Sequence, residues 1–253
     1  TGNIDLTCGA VMTLSACVSC AIIDFSPFLA LIVPLLIGIL LGQLTGLLIG
    51  GLRFFSFITT LGLLYIYQAL AFLFTNSHYY SSTYTGWYSA LGQGRILGIP
   101  VPLLLFVGIV IVFLFIQEYS SFGARLFAVG CNPVNAGFSG VQPIKVTMLV
   151  YIISGLCSSF AGVILCARTM AAQPKTGMGY EFDVFIAVMI GGIISSKFNG
   201  NAIGTLLGVL LLTILKNSFS LMKLWPGIEY IVEGAALFLI ILIQIKRPSG
   251  DAK

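Results

Sequence analysis

Chemistry in this chain has to come from very few side chains. Its 253 residues include 8 acidic groups, 12 lysines and arginines, one histidine and six cysteines. Cys17 and Cys20 form a C-x-x-C, yet both stand inside an apolar run, where two small packing residues are a simpler reading than a redox pair. Cys8, Cys131, Cys157 and Cys166 show no metal-ligand spacing with His78. No G-x-x-x-x-G-K-[ST] phosphate loop occurs, so the chain has no ATP-hydrolysing machinery of its own. No catalytic residue, metal or cofactor is assigned. Carboxylates beside apolar runs remain. Asp5 is a functional candidate because an intramembrane carboxylate is costly, with a cap on a helix starting near Thr7 as the alternative. Glu233 falls in the last apolar run. It is either paired, with Lys216 or Lys223 as candidates, or lines a watery pathway.

A second functional stretch is chemically quiet. Residues 123–140 (Gly-Ala-Arg-Leu-Phe-Ala-Val-Gly-Cys-Asn-Pro-Val-Asn-Ala-Gly-Phe-Ser-Gly) are small and weakly polar, and lie between the apolar runs 101–117 and 144–170. A connection that short is a loop carrying a short surface helix. Asn132 followed by Pro133 predicts a helix start, because Asn accepts from an orphan N–H and Pro suits the first helical position. Gly137 and Gly140 are its natural stops. A surface helix clasped by two membrane helices is placed to receive force from a soluble partner.

The elements that position these residues follow from composition. Charged residues make up 8% of the chain, against about 25% in soluble domains. The hydrophobic share is 58% and mean hydropathy is +1.06. An all-α polytopic membrane protein is the class expected, as a single transmembrane domain over 1–253. Eight apolar segments are expected at 9–23, 28–51, 53–74, 101–117, 144–170, 184–195, 201–215 and 228–245. About seven are read as full spans. Residues 184–195 are read as a broken or re-entrant element, being too short to cross about 30 Å as a helix. Gly50, Gly51 and Arg53 are read as a tight turn.

Charge orients the set. A cytoplasmic C-terminus puts Lys246, Arg247, Lys253, Lys145, Arg125 and Arg53 inside against Glu118 and Asp251, a modest positive-inside bias. That bias accounts for the net charge of +4 without a nucleic-acid partner. Thr1 is read as an unnatural start, with one or more N-terminal spans missing. His78 and the aromatics Tyr79, Tyr80, Tyr84, Trp87 and Tyr88 occupy the loop 75–100, either as an interfacial belt or as contacts for a delivering protein or sugar.

Glycine spacing supplies the packing signal. Gly38, Gly42, Gly46 and Gly50 recur every four residues, as do Gly200, Gly204 and Gly208. This spacing lets another backbone approach closely, and tight packing is the main reading. Gly191-Gly192 and Asn199-Gly200-Asn201 bracket Ser195, Ser196 and Lys197. They are read either as a structural break or as part of a pathway.

These residues carry a resemblance to the permease subunits of ribose-type ABC sugar importers, a branch of the binding-protein-dependent transport family. Five blocks match in order. Asn3 to Gly9 resembles Gly-Ile-Asp-Leu-Ser-x-Gly. Arg53 to Gly62 resembles the family's turn-and-span signature, and Gly123 to Gly140 its coupling segment. Ala172-Gln-Pro-Lys-Thr-Gly-Met-Gly-Tyr-Glu-Phe-Asp183 resembles the most specific block. Gly191 to Gly208 resembles a Gly-Gly-x-Ser…Gly-Thr pattern. Departures stand at Asn3, at Cys131, across Asn199-Gly-Asn-Ala, and at Glu233 in place of a frequent Lys.

The resemblance implies two permease subunits, a separate ATPase subunit and an external sugar-binding protein in the bacterial inner membrane. It places Arg125, Asn132, Val134, Ala136 and Gly140 in the ATPase-coupling segment. Asp5, Gly191, Gly192 and Glu233 become pathway candidates, and Tyr180, Glu181 and Asp183 face the binding protein at the outer end of 144–170. A nucleoside or branched-chain amino-acid permease, a secondary transporter without an ATPase, and a non-transporting scaffold are the alternatives.

Overall fold

The computed structural model describes residues 1–194 and 202–223, with isolated positions beyond these up to 238. Two compact units divide it: residues 1–181, and Phe182 onward. Among the described residues, five helices are long and apolar enough to span a membrane: Pro27–Gly51, Ser56–Thr75, Val101–Tyr119, Pro143–Thr169 and Ala202–Leu221. The first is α2 (Pro27–Gly46) continued by a π-helical turn Leu47–Gly51; the others are α3, α5, α8 and α10. Shorter helices are α1 (Cys8–Ile22), α4 (Trp87–Gln93), α6 (Ser121–Cys131), α7 (Pro133–Phe138) and α9 (Tyr180–Ile194).

Five of the seven full spans expected are thus present among the described residues. Segment 9–23 is α1, whose 15 residues rise only about 22 Å. Segment 228–245 lies outside the continuously described residues, as does Glu233. Segment 184–195 is no broken element as far as Ile194: α9 runs unbroken from Tyr180. The residues from Ser195 to Asn201 lie outside the described ones.

In the first unit α1 is the core. Twelve of its residues, Gly9 through Cys20, are buried. A helix apolar on every side has no lipid-facing stripe to reveal, and here it lies wrapped by α2, α3 and α8. Cys17, Cys20 and Cys166 pack in one cluster with Ala16, Tyr88 and Val163, as the packing reading of the C-x-x-C expected.

The glycine stripe of α2 lies on α8. A Cβ on Gly38 would meet the Gly155 carbonyl at 2.5 Å, and one on Gly42 would meet the Ile152 Cα at 3.0 Å. Gly155 answers from α8, where a Cβ would stand 3.0 Å from the Gly42 Cα. Removing side chains at these positions lets two backbones touch, which is how packing substitutes for the missing hydrophobic drive in lipid. The corner after α2 differs in detail from the tight glycine turn expected. Gly50 and Gly51 belong to the π-helical turn, and the left-handed conformation falls on Arg53, at φ 58°.

Two short ladders finish this unit. β1 (Tyr80–Ser81) pairs antiparallel with β4 (Ala171–Ala172). β2 (Arg95–Ile96) and β3 (Ile99–Pro100) form a hairpin turned by Leu97 and Gly98, both at positive φ. The loop 75–100 is thus partly structured, and Tyr88 from α4 is fully buried rather than belted at the surface.

In the second unit, α9 and α10 pack through small residues. A Cβ on Gly191 would fall onto the Gly204 backbone, and one on Gly208 would stand 3.0 Å from the Gly191 nitrogen. Ile186, Ala187 and Leu212 make the apolar core beside them.

Candidate functional site

Two regions of the first unit gather the residues of interest. One is interior. Residues 1–7 precede α1 without helical structure, and residues 170–179, apart from β4, run back along α1 after α8 ends. Such backbone is tolerated at membrane depth only where protein satisfies it. Hydroxyls do so here. Ser56 Oγ accepts from Ile4 N–H at 3.3 Å, while Thr60 Oγ1 and Tyr151 OH donate to the Ile4 carbonyl at 3.4 and 3.3 Å. Asp5 Oδ1 accepts from Thr7 N–H at 2.9 Å and Thr7 Oγ1 at 2.7 Å, and its Oδ2 accepts from Ser154 Oγ at 2.6 Å.

Asp5 stands just before α1, where one oxygen accepts from the N-cap residue Thr7 and the other ties this start to α8. Ser154 stands about 22 Å of helix before the end of α8 at Thr169, so this junction is deep in the span.

The returning segment reaches the same depth. Thr13 Oγ1 donates to the Gly9 carbonyl at 2.8 Å and accepts from Gly177 N–H at 3.0 Å. Gln68 Nε2 donates to the Pro174 carbonyl. A Cβ on Gly9 would meet the Gly177 carbonyl at 2.8 Å and the Glu181 nitrogen at 3.2 Å. Glu181 is only 7% exposed, and its Oε1 accepts from Gly179 N–H at 3.2 Å.

Glu181 is thus placed beside the start of α1, within the bundle, and not at the outer end of 144–170 where the sequence put it. The reason is the fold-back of 170–179, which periodicity does not register. Its companions differ. Tyr180 is 45% exposed. In the second unit, Asp183 pairs with Lys216 at 2.6 and 2.7 Å. Lys216, which the sequence offered to Glu233, thus pairs with Asp183, while Glu233 lies outside the described residues. Gly191 is a packing glycine, while a Cβ on Gly192 would meet open space.

The second region is at the surface. Ser120 alone separates α5 from α6, and its side chain caps α6 by accepting from Gly123 N–H at 3.1 Å. Asn132 alone separates α6 from α7. Its Oδ1 accepts from Val134 N–H at 3.0 Å and Asn135 N–H at 3.1 Å, with Pro133 in the first helical position. The cap read from Asn-Pro is present. α7 ends at Phe138, and Gly140 follows at φ +80°, where L side chains are strained.

Ala136 faces inward, 4% exposed, in a cluster with Val129 of α6 and Val146 of α8. Val134 and Phe138 face outward at 66% and 87%. The exposed apolar face of α7 is thus Val134 and Phe138, with Ala136 buried behind them; Arg125 is exposed on α6. Phe138 was missed because Gly137 and Gly140 drew attention to the helix stop.

The family model described as Branched-chain amino acid transport system / permease component matches residues 1–242. The ribose import permease protein RbsC of Bacillus subtilis (strain 168) is 33% identical over 250 residues, covering 98% of this chain and 78% of that protein. RbsC of Escherichia coli (strain K12) is 30% identical over 255 residues, with the same coverage of 98% and 78%. The L-arabinose transport system permease protein AraH of Escherichia coli (strain K12) is 28% identical over 251 residues, covering 96% and 74%. No solved structure matches.

Proposed function

Because the chain belongs to the family described as Branched-chain amino acid transport system / permease component, we propose that it is the membrane subunit of an ATP-driven importer for a monosaccharide or similar small polar solute. Its ATPase is a separate cytoplasmic subunit, its second permease subunit is an identical chain or a paralogue, and an external binding protein delivers the solute. The setting is a bacterial inner membrane, with the C-terminus and the α6–α7 segment on the cytoplasmic side. The sugar names carried by RbsC and AraH support this cargo class.

The observation that carries the coupling role is the welding of α7 to its neighbours. Single-residue links join α5 to α6 and α6 to α7, and Val129, Ala136 and Val146 lock α6, α7 and α8 into one apolar cluster. A push on Val134 and Phe138 is therefore passed to α5 and α8 rather than absorbed by a loose loop. ATPase closure moves this block and shifts the permease between inward- and outward-facing populations. Arg125 and Asn132 belong to the same block, the former for a partner carboxylate or headgroup and the latter as the cap.

The test is isolation of the full-length protein from native membranes in mild detergent, with identification of what co-purifies. A Walker-type ATPase is expected. Its reproducible absence, with the permease still folded, would overturn the proposal in favour of a secondary transporter or a scaffold.

A further inference from the structure

A groove of about 750 Å³ opens beside α7, bounded by Ile49, Arg53, Phe54, Val134, Phe138 and Ile144. We propose that this groove is a binding site for one anionic phospholipid of the surrounding bilayer, with its phosphate on the Arg53 guanidinium and its upper acyl chain along Ile49, Phe54 and Ile144.

Position argues for lipid first. Arg53 and Phe54 lie in the four-residue connection between the spans Pro27–Gly51 and Ser56–Thr75, and Ile144 lies in the first turn of the span Pro143–Thr169. The groove therefore stands where three spans meet the headgroup layer. A bilayer phospholipid is always present there, with an apolar body and a polar head that match an apolar wall carrying a single cation.

Charge and conformation argue next. Arg53 is exposed, and among the described residues its guanidinium has no carboxylate partner. It also holds a left-handed conformation, φ 58°, which a non-glycine residue rarely adopts. Gly50 and Gly51 stand only two and three residues earlier, so the strain is borne by an arginine in a glycine-rich corner. That backbone aims the side chain at the groove, and a guanidinium takes a phosphate through paired N–H donors. Phe54 and Phe55, exposed at 53% and 70%, belong to the same corner and suit the interfacial layer.

Part of one wall is α7, so an occupied groove would brace the segment to which the coupling role is assigned. The site itself does not depend on that role, and its test needs no ATPase. The purified full chain in mild detergent would be titrated with phosphatidylglycerol or phosphatidylcholine and observed by native mass spectrometry. One saturable phosphatidylglycerol per chain is expected, favoured about fivefold to tenfold over phosphatidylcholine.

Arg53→Gln should abolish that preference, Arg53→Lys should keep part of it, and Ile144→Trp should weaken both lipids by filling the groove. Arg95→Gln, at the opposite ends of the spans, should change nothing. Equal binding of the two lipids would overturn the proposal. So would an Arg95→Gln loss as large as that of Arg53→Gln. Ile144→Trp stands on an exposed position (42%) and keeps the test decisive if the Arg53 variants fail to fold.

Discussion

The interior junction at the start of α1 and the surface segment α6–α7 are built from similar small and hydroxyl residues, and they are satisfied in opposite ways. At the junction, non-helical backbone lies deep in the bundle and every named polar group has a protein partner. Asp5 alone accepts three hydrogen bonds, from Thr7 and Ser154. On α6–α7 the caps are local, and the outward side chains Val134 and Phe138 stand exposed at the rim of the groove beside Arg53 and Phe54. The junction is thus complete within this chain, whereas the surface segment presents an unanswered apolar face. This difference separates a residue that holds the fold from one that the proposed coupling role would offer to a partner.

Substitutions should pull the two regions apart. The largest effect is expected where backbones touch. Gly155→Leu would drive a side chain into Gly38 and Gly42, and overpacking of this kind costs about 1–3 kcal/mol or more where backbone cannot yield. Loss of monodisperse protein in detergent is the expected readout. Gly9→Val should act alike, since its Cβ would meet Gly177 and Glu181.

Val134→Arg and Phe138→Asp come next, with the opposite pattern. Both positions are exposed, so elution and melting should be unchanged while ATPase co-purification falls at least about tenfold, as expected when an interface anchor is lost. Ala136→Arg, by contrast, should destabilise the permease itself, because that position is buried against Val129 and Val146.

Asp5→Asn should cost about 1–2 kcal/mol through weakened charge-assisted bonds to Thr7 and Ser154, seen as a lower melting temperature. Ser154→Ala should show part of the same loss, and the two should be non-additive in a double-mutant cycle. Asn132→Ala should cost about 1 kcal/mol through the cap of α7, with Asn132→Asp close to wild type. A thermal melt would record both.

Much of this was legible because lipid imposes strict rules. Long apolar runs gave five of the spans, glycines four apart gave a close backbone approach on α2 though not its partner α8, and Asn-Pro gave the α7 start. The buried helix α1 was read as a span because apolar composition does not tell a lipid-facing helix from one enclosed by its neighbours. Non-helical backbone was expected near 184–195, on the strength of glycine and serine crowding. Among the described residues it lies at 1–7 and 170–179, and the hydroxyls that meet Ile4 and Asp5 come from two distant helices, Ser56 and Thr60 from α3 and Tyr151 and Ser154 from α8. No local pattern encodes partners 52 to 149 residues away. The inward turn of Ala136 escaped for a related reason: a six-residue helix has too few positions to declare its face.

The most direct test of the coupling account is photocrosslinking in native membranes from a benzoylphenylalanine placed at position 134 or 138, with position 95 as the control on the opposite side. The account expects an ATPase subunit crosslinked from 134 and 138 and absent from 95. Folded protein that yields no ATPase crosslink from either α7 position, or yields it equally from 95, would contradict it.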